Sequence, residues 1–105
     1  MTYRVIITPN AESELRAAYR YLRDQAPDAA RAWVKGVRQK IRSLAHNPER
    51  APLAPEGISF DDPIREVFYG RGNRGTYRIL FAVLGPRVYI LHVRHGSMLP
   101  VEPDQ

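Results

Sequence analysis

The chain has 105 residues, 44% of them hydrophobic, which suits one domain built on one core and argues against disorder. It has no cysteine, which excludes disulfides and thiolate metal sites, and no apolar run approaching the ~20 residues of a membrane span. The formal charge of +5 and a pI near 10.0 favour an acidic partner, whether nucleic acid, an acidic protein segment or an anionic membrane, and do not choose among them.

The N-terminal "MTYRVIITP" shows no signal-peptide pattern, and a reducing, cytoplasmic location is the expectation. In "TYRVIIT", Tyr3, Val5 and Ile7 alternate with Arg4 and Ile6, and the β-branched content predicts a strand. Thr8 and Pro9 then read as the cap and first position of a helix. Ala11, Leu15, Ala18, Tyr19 and Leu22 fall on one face of it, with Glu12 and Glu14 near its start and Arg20 and Arg23 near its end. A second helix opens at Pro27-Asp28, with an apolar stripe of Ala30, Trp33, Val37, Ile41 and Leu44. "HNP" ends it, because Pro48 cannot continue a helix. The short link between the helices predicts an antiparallel hairpin.

The stretch "ERAPLAPEGISFDDP" reads as a loop, since its three prolines and one glycine prevent regular pairing. Strands follow near 64–69, 77–84 and 87–94, and the tail from about 97 to 105 is expected to be irregular. The fold class is therefore α+β: a β-α-α-β-β-β chain with a helical hairpin on one face of a mainly antiparallel four-stranded sheet, forming a single domain over residues 1–105.

Gly85-Pro86 fits a two-residue turn with Gly85 at positive φ. That register sets Val83 opposite Val88, Phe81 opposite Ile90 and Ile79 opposite His92 on one face. Leu80 with Leu91, Ala82 with Tyr89, and Arg78 with Val93 occupy the other. Both faces are largely apolar, and two helices cover only one. The second face then needs the tail, a second subunit or a different protein.

"TPNAESEL" at the helix start, "NPER" at the helix exit, "REVFYG", "YRILFAV" and "VYILHVRHG" together resemble the RelE/ParE toxins of bacterial type II toxin–antitoxin modules, across nearly the whole chain. The resemblance implies a small basic toxin, held inactive by a cognate antitoxin that lays an acidic or amphipathic segment across it. Leu80, Ala82, Tyr89, Leu91 and Val93 are the expected antitoxin-binding residues. A homodimer and a heterotetramer with the antitoxin both stay open, and no membrane partner is expected.

The family divides by mechanism. RelE-like members cleave mRNA at the ribosome with arginines, lysines and often a C-terminal tyrosine; ParE-like members lack that set and poison DNA gyrase. Arg78 in "YRILF" matches the RelE-like strand arginine. The position of a second arginine reads Ser97-Met98, and the tail "LPVEPDQ" has no tyrosine. Ser97 also stands where ParE-like members often carry arginine. The ParE-like, non-catalytic reading leads. The nuclease alternative would use Arg78 and Arg94 on phosphate and His95 as acid or base. A third reading is a non-toxic module that only binds an antitoxin.

Several residues keep two readings. His92 and His95, three apart on a strand, are expected on opposite faces, as are Arg78 and Arg94 in this register. Tyr69 and Tyr77 are proton donors or packing residues. "GRGNRG" either tracks a phosphate backbone or connects two strands. Arg65, Arg71, Arg74 and Tyr69 are the residues expected to meet the target or nucleic acid. The three histidines are dispersed, so no metal site is expected, and no cofactor motif is present.

Overall fold

The computed structural model describes residues 2–58, 62–70 and 76–96. Strand β1 (Arg4–Ile7) leads into helix α1 (Pro9–Gln25). Thr8 caps that helix as its sequence position predicts. Its Oγ1 accepts the Ala11 N–H at 3.2 Å and donates to the Ile90 carbonyl at 2.7 Å, so one hydroxyl starts the helix and ties it to the sheet. Helix α2 (Pro27–Ser43) follows. The chain leaves it through Asn47, whose φ of 51° is a left-handed conformation that asparagine tolerates. Pro48 then opens a 3-10 turn, Pro48–Arg50, and a second 3-10 turn covers Pro55–Ile58. Strands β2 (Arg65–Tyr69), β3 (Tyr77–Leu84) and β4 (Arg87–His95) complete the order.

The sheet order is β1-β4-β3-β2, with β1 parallel to β4 and the other two pairs antiparallel. This is the expected α+β architecture. The helical hairpin lays Leu15, Leu22, Trp33, Val37 and Ile41 against Ile79, Phe81, Val88, Ile90 and Val93. Phe81, Leu15 and Ile41 are among the largest fully buried side chains. Each contributes roughly 1.5–3 kcal/mol by burial, so this face supplies most of the hydrophobic stabilisation. Gly36 has a specific place in the hairpin: a Cβ there would lie 1.7 Å from the Tyr69 hydroxyl oxygen, so only glycine lets that ring rest on α2.

Two expectations need correction. The first is the register. The turn places Gly85 at φ 59°, and Val83↔Val88, Ala82↔Tyr89 and Phe81↔Ile90 pair as the sequence predicts. A bulge then sets Leu91 and His92 together opposite Leu80, giving Leu80↔His92, Ile79↔Val93, Arg78↔Arg94 and Tyr77↔His95. The extra residue flips every later side chain. Val93 turns into the helix-side core, and Arg78 and Arg94 share a face instead of opposing one another.

The second correction concerns the uncovered face. The segment after α2 folds beneath it as a strap. Leu53 bridges to Arg65, the Ala54 N–H donates to the Ile64 carbonyl at 2.8 Å, and the Glu66 N–H donates to the Pro52 carbonyl at 3.1 Å. Ala54 and Ile64 close over Leu80 and Ala82, which are 1% and 4% exposed. The stretch read as an unpaired loop therefore supplies a second, smaller core. The tail from 97 to 105, and with it the expectation of irregularity, lies outside the described residues.

Candidate functional site

The bulge brings three positively charged or titratable side chains to the end of β3 and β4: Arg78, Arg94 and His95. Each is held by different groups. Arg78 is buried in an apolar strand, and an unpaired charge there would be costly, so the chain must provide counter-charges. Glu56, on the strap's second 3-10 turn, and Glu66, on β2, provide them. Arg78 Nη1 and Nη2 donate to Glu56 Oε2 and Oε1 at 2.8 and 2.6 Å, a two-pronged pair, and Nε donates to Glu66 Oε1 at 2.9 Å. The side chains of Arg78 and Glu56 are 11% and 1% exposed. Hydrogen bonds from Glu56 above all, then from Glu66, push the Arg78 pKa above its ordinary value despite burial, so the guanidinium stays charged.

Arg94 lies across from Arg78 in the register, with Nη1 3.9 Å from Glu14 Oε2. Glu14 does more than balance this charge. β1 ends opposite Ile90, so the last residues of β4 run on beside α1. There the helix's polar side chains meet the strand backbone. Asn10 Nδ2 donates to the Leu91 carbonyl at 3.1 Å, and Glu14 Oε1 accepts the Val93 N–H at 3.0 Å. His92 Nδ1 stands 3.0 Å from Asn10 Nδ2 and 3.2 Å from Glu14 Oε1. The bulge is thus held by α1 from the side.

His95 sits on the helix side, edge-on to the Tyr77 ring with centroids 5.2 Å apart. Burial raises the Tyr77 hydroxyl above its usual pKa of 10.0, so it stays protonated near neutral pH. A groove of about 440 Å³ opens here between Ala17, Ala18 and Tyr21 of α1 and Tyr77, Val93 and His95 of the strands. Its walls are mainly apolar, and Tyr21 at its lip is 63% exposed.

The remaining expected site residues are dispersed. Arg65 Nη1 donates to the Ala51 carbonyl at 2.7 Å, which anchors the strap, and Tyr69 rests on Gly36. Arg71 and Arg74 lie outside the described residues. Of the five residues expected to face an antitoxin, Leu80 and Ala82 are beneath the strap and Val93 is in the helix-side core; Tyr89 and Leu91 are half-buried on the second face. Sequence reading missed Glu56 and Glu66 as partners of Arg78 and Glu14 as the clamp on β4. An arginine inside "YRILFAV" was the available signal, because such a strand must recruit carboxylates. Among the described residues, no three histidine, cysteine, aspartate or glutamate side chains gather as a metal-binding set, and no helix is long and apolar enough to cross a membrane.

A sheet of order β1-β4-β3-β2 with its hairpin on one face is shared with a solved toxin–antitoxin structure. That structure is described as "Chromosomal ParDE TA system from P. aeruginosa"; it superposes with a TM-score of 0.68 over 90% of this chain and 96% of that one, at 17% sequence identity. A search of curated protein sequences gives no match. The sequence profile described as "ParE toxin of type II toxin-antitoxin system, parDE" matches residues 5–100, so the chain belongs to the ParE toxin family, within the RelE/ParE superfamily.

Proposed function

We propose that this type II toxin acts by binding an essential target, with DNA gyrase as the target class, and that a cognate antitoxin neutralises it. The observation that carries this reading is the state of Arg78. Ribose-phosphate cleavage needs cations aimed at the scissile phosphate. The strand arginine that would serve has all three of its guanidinium nitrogens engaged by Glu56 and Glu66, beneath the strap. A phosphate approaching it would meet two carboxylates first. Arg94, the second cation candidate, lies 3.9 Å from the Glu14 carboxylate, and His95, the acid–base candidate, packs on Tyr77 on the opposite side of the sheet from Arg78. Family membership supports the same reading, and the ParDE neighbour supports an antitoxin partner.

The test pairs two assays on the purified protein. Gyrase supercoiling of relaxed plasmid should fall, and cleaved plasmid should accumulate when the reaction is stopped with detergent and protease. A translating extract given the same protein should keep its mRNA intact. Normal supercoiling together with cut mRNA would overturn the proposal in favour of the RelE-like nuclease. An inert protein in both assays and in induced cells would favour a module that only binds an antitoxin.

A further inference from the structure

The protein's excess charge is spread unevenly. The helical hairpin, Pro9–Gln25 with Pro27–Ser43, holds eight of the sixteen lysines and arginines and four of the eleven acids, so it carries +4 of the formal +5. Its acids do little to mask that charge. Glu14 is turned to the end of β4, and Glu12 is tied to Arg38 at 2.8 Å and to Arg16 at 3.1 Å. After Asp28, which pairs with Arg31, α2 has five cations and no acid.

The helical period gathers these cations into two rows. On α2, Arg31, Lys35, Arg38 and Arg42 recur at intervals of four, three and four residues, beside the buried stripe of Trp33, Val37 and Ile41. The Arg38–Glu12 pair places this row on the flank that meets α1. On α1, Arg16, Arg20 and Arg23 recur at four and three. The seam between the helices is lined by Leu15, Tyr19 and Val34, with Arg16 and Arg38 at its edges. The α2 row is about 16 Å long. Arg16 and Arg20, Arg31 and Lys35, and Arg38 and Arg42 are like charges at i and i+4, an arrangement that weakens a helix rather than supporting it. Arg20, Lys35 and Arg42 are exposed, and among the described residues their side chains make no hydrogen bond or ion pair.

We infer that this outer seam of the hairpin, between the arginine row of α1 and the 31–42 row of α2, is a contact surface for the phosphate backbone of duplex DNA, bound without regard to sequence. Charge complementarity selects the occupant. Duplex DNA is a rod with one negative charge per about 1.7 Å of axis, which two adjacent rows of long cationic side chains can follow. An acidic protein segment or a lipid surface would call for exposed apolar side chains among the cations. Tyr21 is the one large hydrophobic well exposed among the described residues of the hairpin, and it stands at the lip of the groove against the sheet, away from this seam. Single-stranded nucleic acid needs aromatic platforms for its bases. The seam has Tyr19, half-buried and with the Arg23 guanidinium already 5.9 Å above its ring. DNA binding at this face is a property of the toxin alone, so it stands or falls independently of the gyrase reading.

The experiment follows the fluorescence anisotropy of a labelled mixed-sequence duplex of about 20 base pairs as full-length protein is added at several salt concentrations. The wild type should bind, with log affinity falling linearly against log salt. Lys35→Gln/Arg42→Gln, which keeps good helix formers at both positions, should bind roughly tenfold or more weakly and flatten the salt slope by about 2. Arg4→Ser/Arg87→Ser removes the same charge from the sheet and should bind like the wild type. Circular dichroism checks that both variants are folded. No binding of the wild type at about 50 mM salt would overturn the inference. Equal weakening by the two double variants would overturn it too, because net charge and not this face would then be responsible. Poly-glutamate and phosphatidylglycerol vesicles serve as competitors. Displacement of the duplex by either one at lower charge concentration than by unlabelled duplex would reassign the face and overturn the inference. Duplex binding that depends on Lys35 and Arg42, with gyrase supercoiling unaffected, would uphold the face and count against gyrase as the target.

Discussion

At the Arg78 end of the second sheet face, the chain neutralises its arginines with its own glutamates and covers Arg78 with a strap; at the Arg4 end, Arg4 and Arg87 are exposed, and among the described residues their side chains make no ion pair. The same pairing of residue types therefore serves two ends. A buried cation must find its counter-charges within the fold, because burial removes water's compensation. An exposed pair keeps its water and needs none for folding. An arginine's role in this fold is set by the carboxylates around it, which a strand pattern alone does not disclose.

Breaking the buried end should give the largest effect. Glu56→Ala leaves Arg78 short of its two-pronged partner, and removing one member of a buried ion pair costs about 3–5 kcal/mol. Chemical denaturation should show the loss, and hydrogen exchange should show the 52–54 backbone opening with it. A change under about 1 kcal/mol would mean that the strap is held mainly by Ala54 and Ile64.

Glu14→Ala comes next. It removes the acceptor of the Val93 N–H and the carboxylate beside His92 and Arg94, at a cost of about 1–3 kcal/mol. Amide exchange at Val93 should accelerate more than at Val88, which β1 continues to pair.

A smaller effect is expected on the outer helix surface. Glu12 has its pKa lowered from 4.5, first by the Arg38 hydrogen bonds. A depressed carboxylate stabilises the fold above its unfolded pKa, and that contribution disappears as pH falls through the folded value. Glu12→Gln should therefore matter at neutral pH and not in strong acid. The difference should stay within about 1 kcal/mol, because the pair is partly exposed. Thermal unfolding across that range measures it.

The smallest shift belongs to the bare end. Arg4→Ser/Arg87→Ser should leave stability unchanged or raise it by a few tenths of a kcal/mol, about the size of a relieved like-charge pair. A clear loss would show that these arginines already serve the fold, and the contrast between the two ends would fail.

Much of this architecture was legible in advance. Thr8-Pro9 marked the first helix, Pro27 and Asn47-Pro48 bounded the second, and Gly85 marked the turn, because caps, prolines and positive-φ positions act locally. The bulge was not read, although Val88, Ile90 and Val93 break the period of two; its stabilising groups, Asn10 and Glu14, lie on a distant helix. The strap escaped for a related reason. Its burial depends on Arg78 needing Glu56, a contact across 22 residues that leaves no periodic trace. Arg78 stands out in the strand pattern, but the carboxylates that surround it lie on other elements.

The decisive measurement is growth arrest per folded molecule in bacteria expressing a Glu56→Met/Glu66→Leu/Arg78→Met variant. Replacing a whole buried ionic cluster with apolar residues is often neutral or stabilising by about 1–4 kcal/mol, so circular dichroism should find it folded. If Arg78 is a structural residue, the folded variant arrests growth as the wild type does. A folded variant that no longer arrests growth, while the wild type does, would place Arg78 in the toxic chemistry and contradict the binding mechanism.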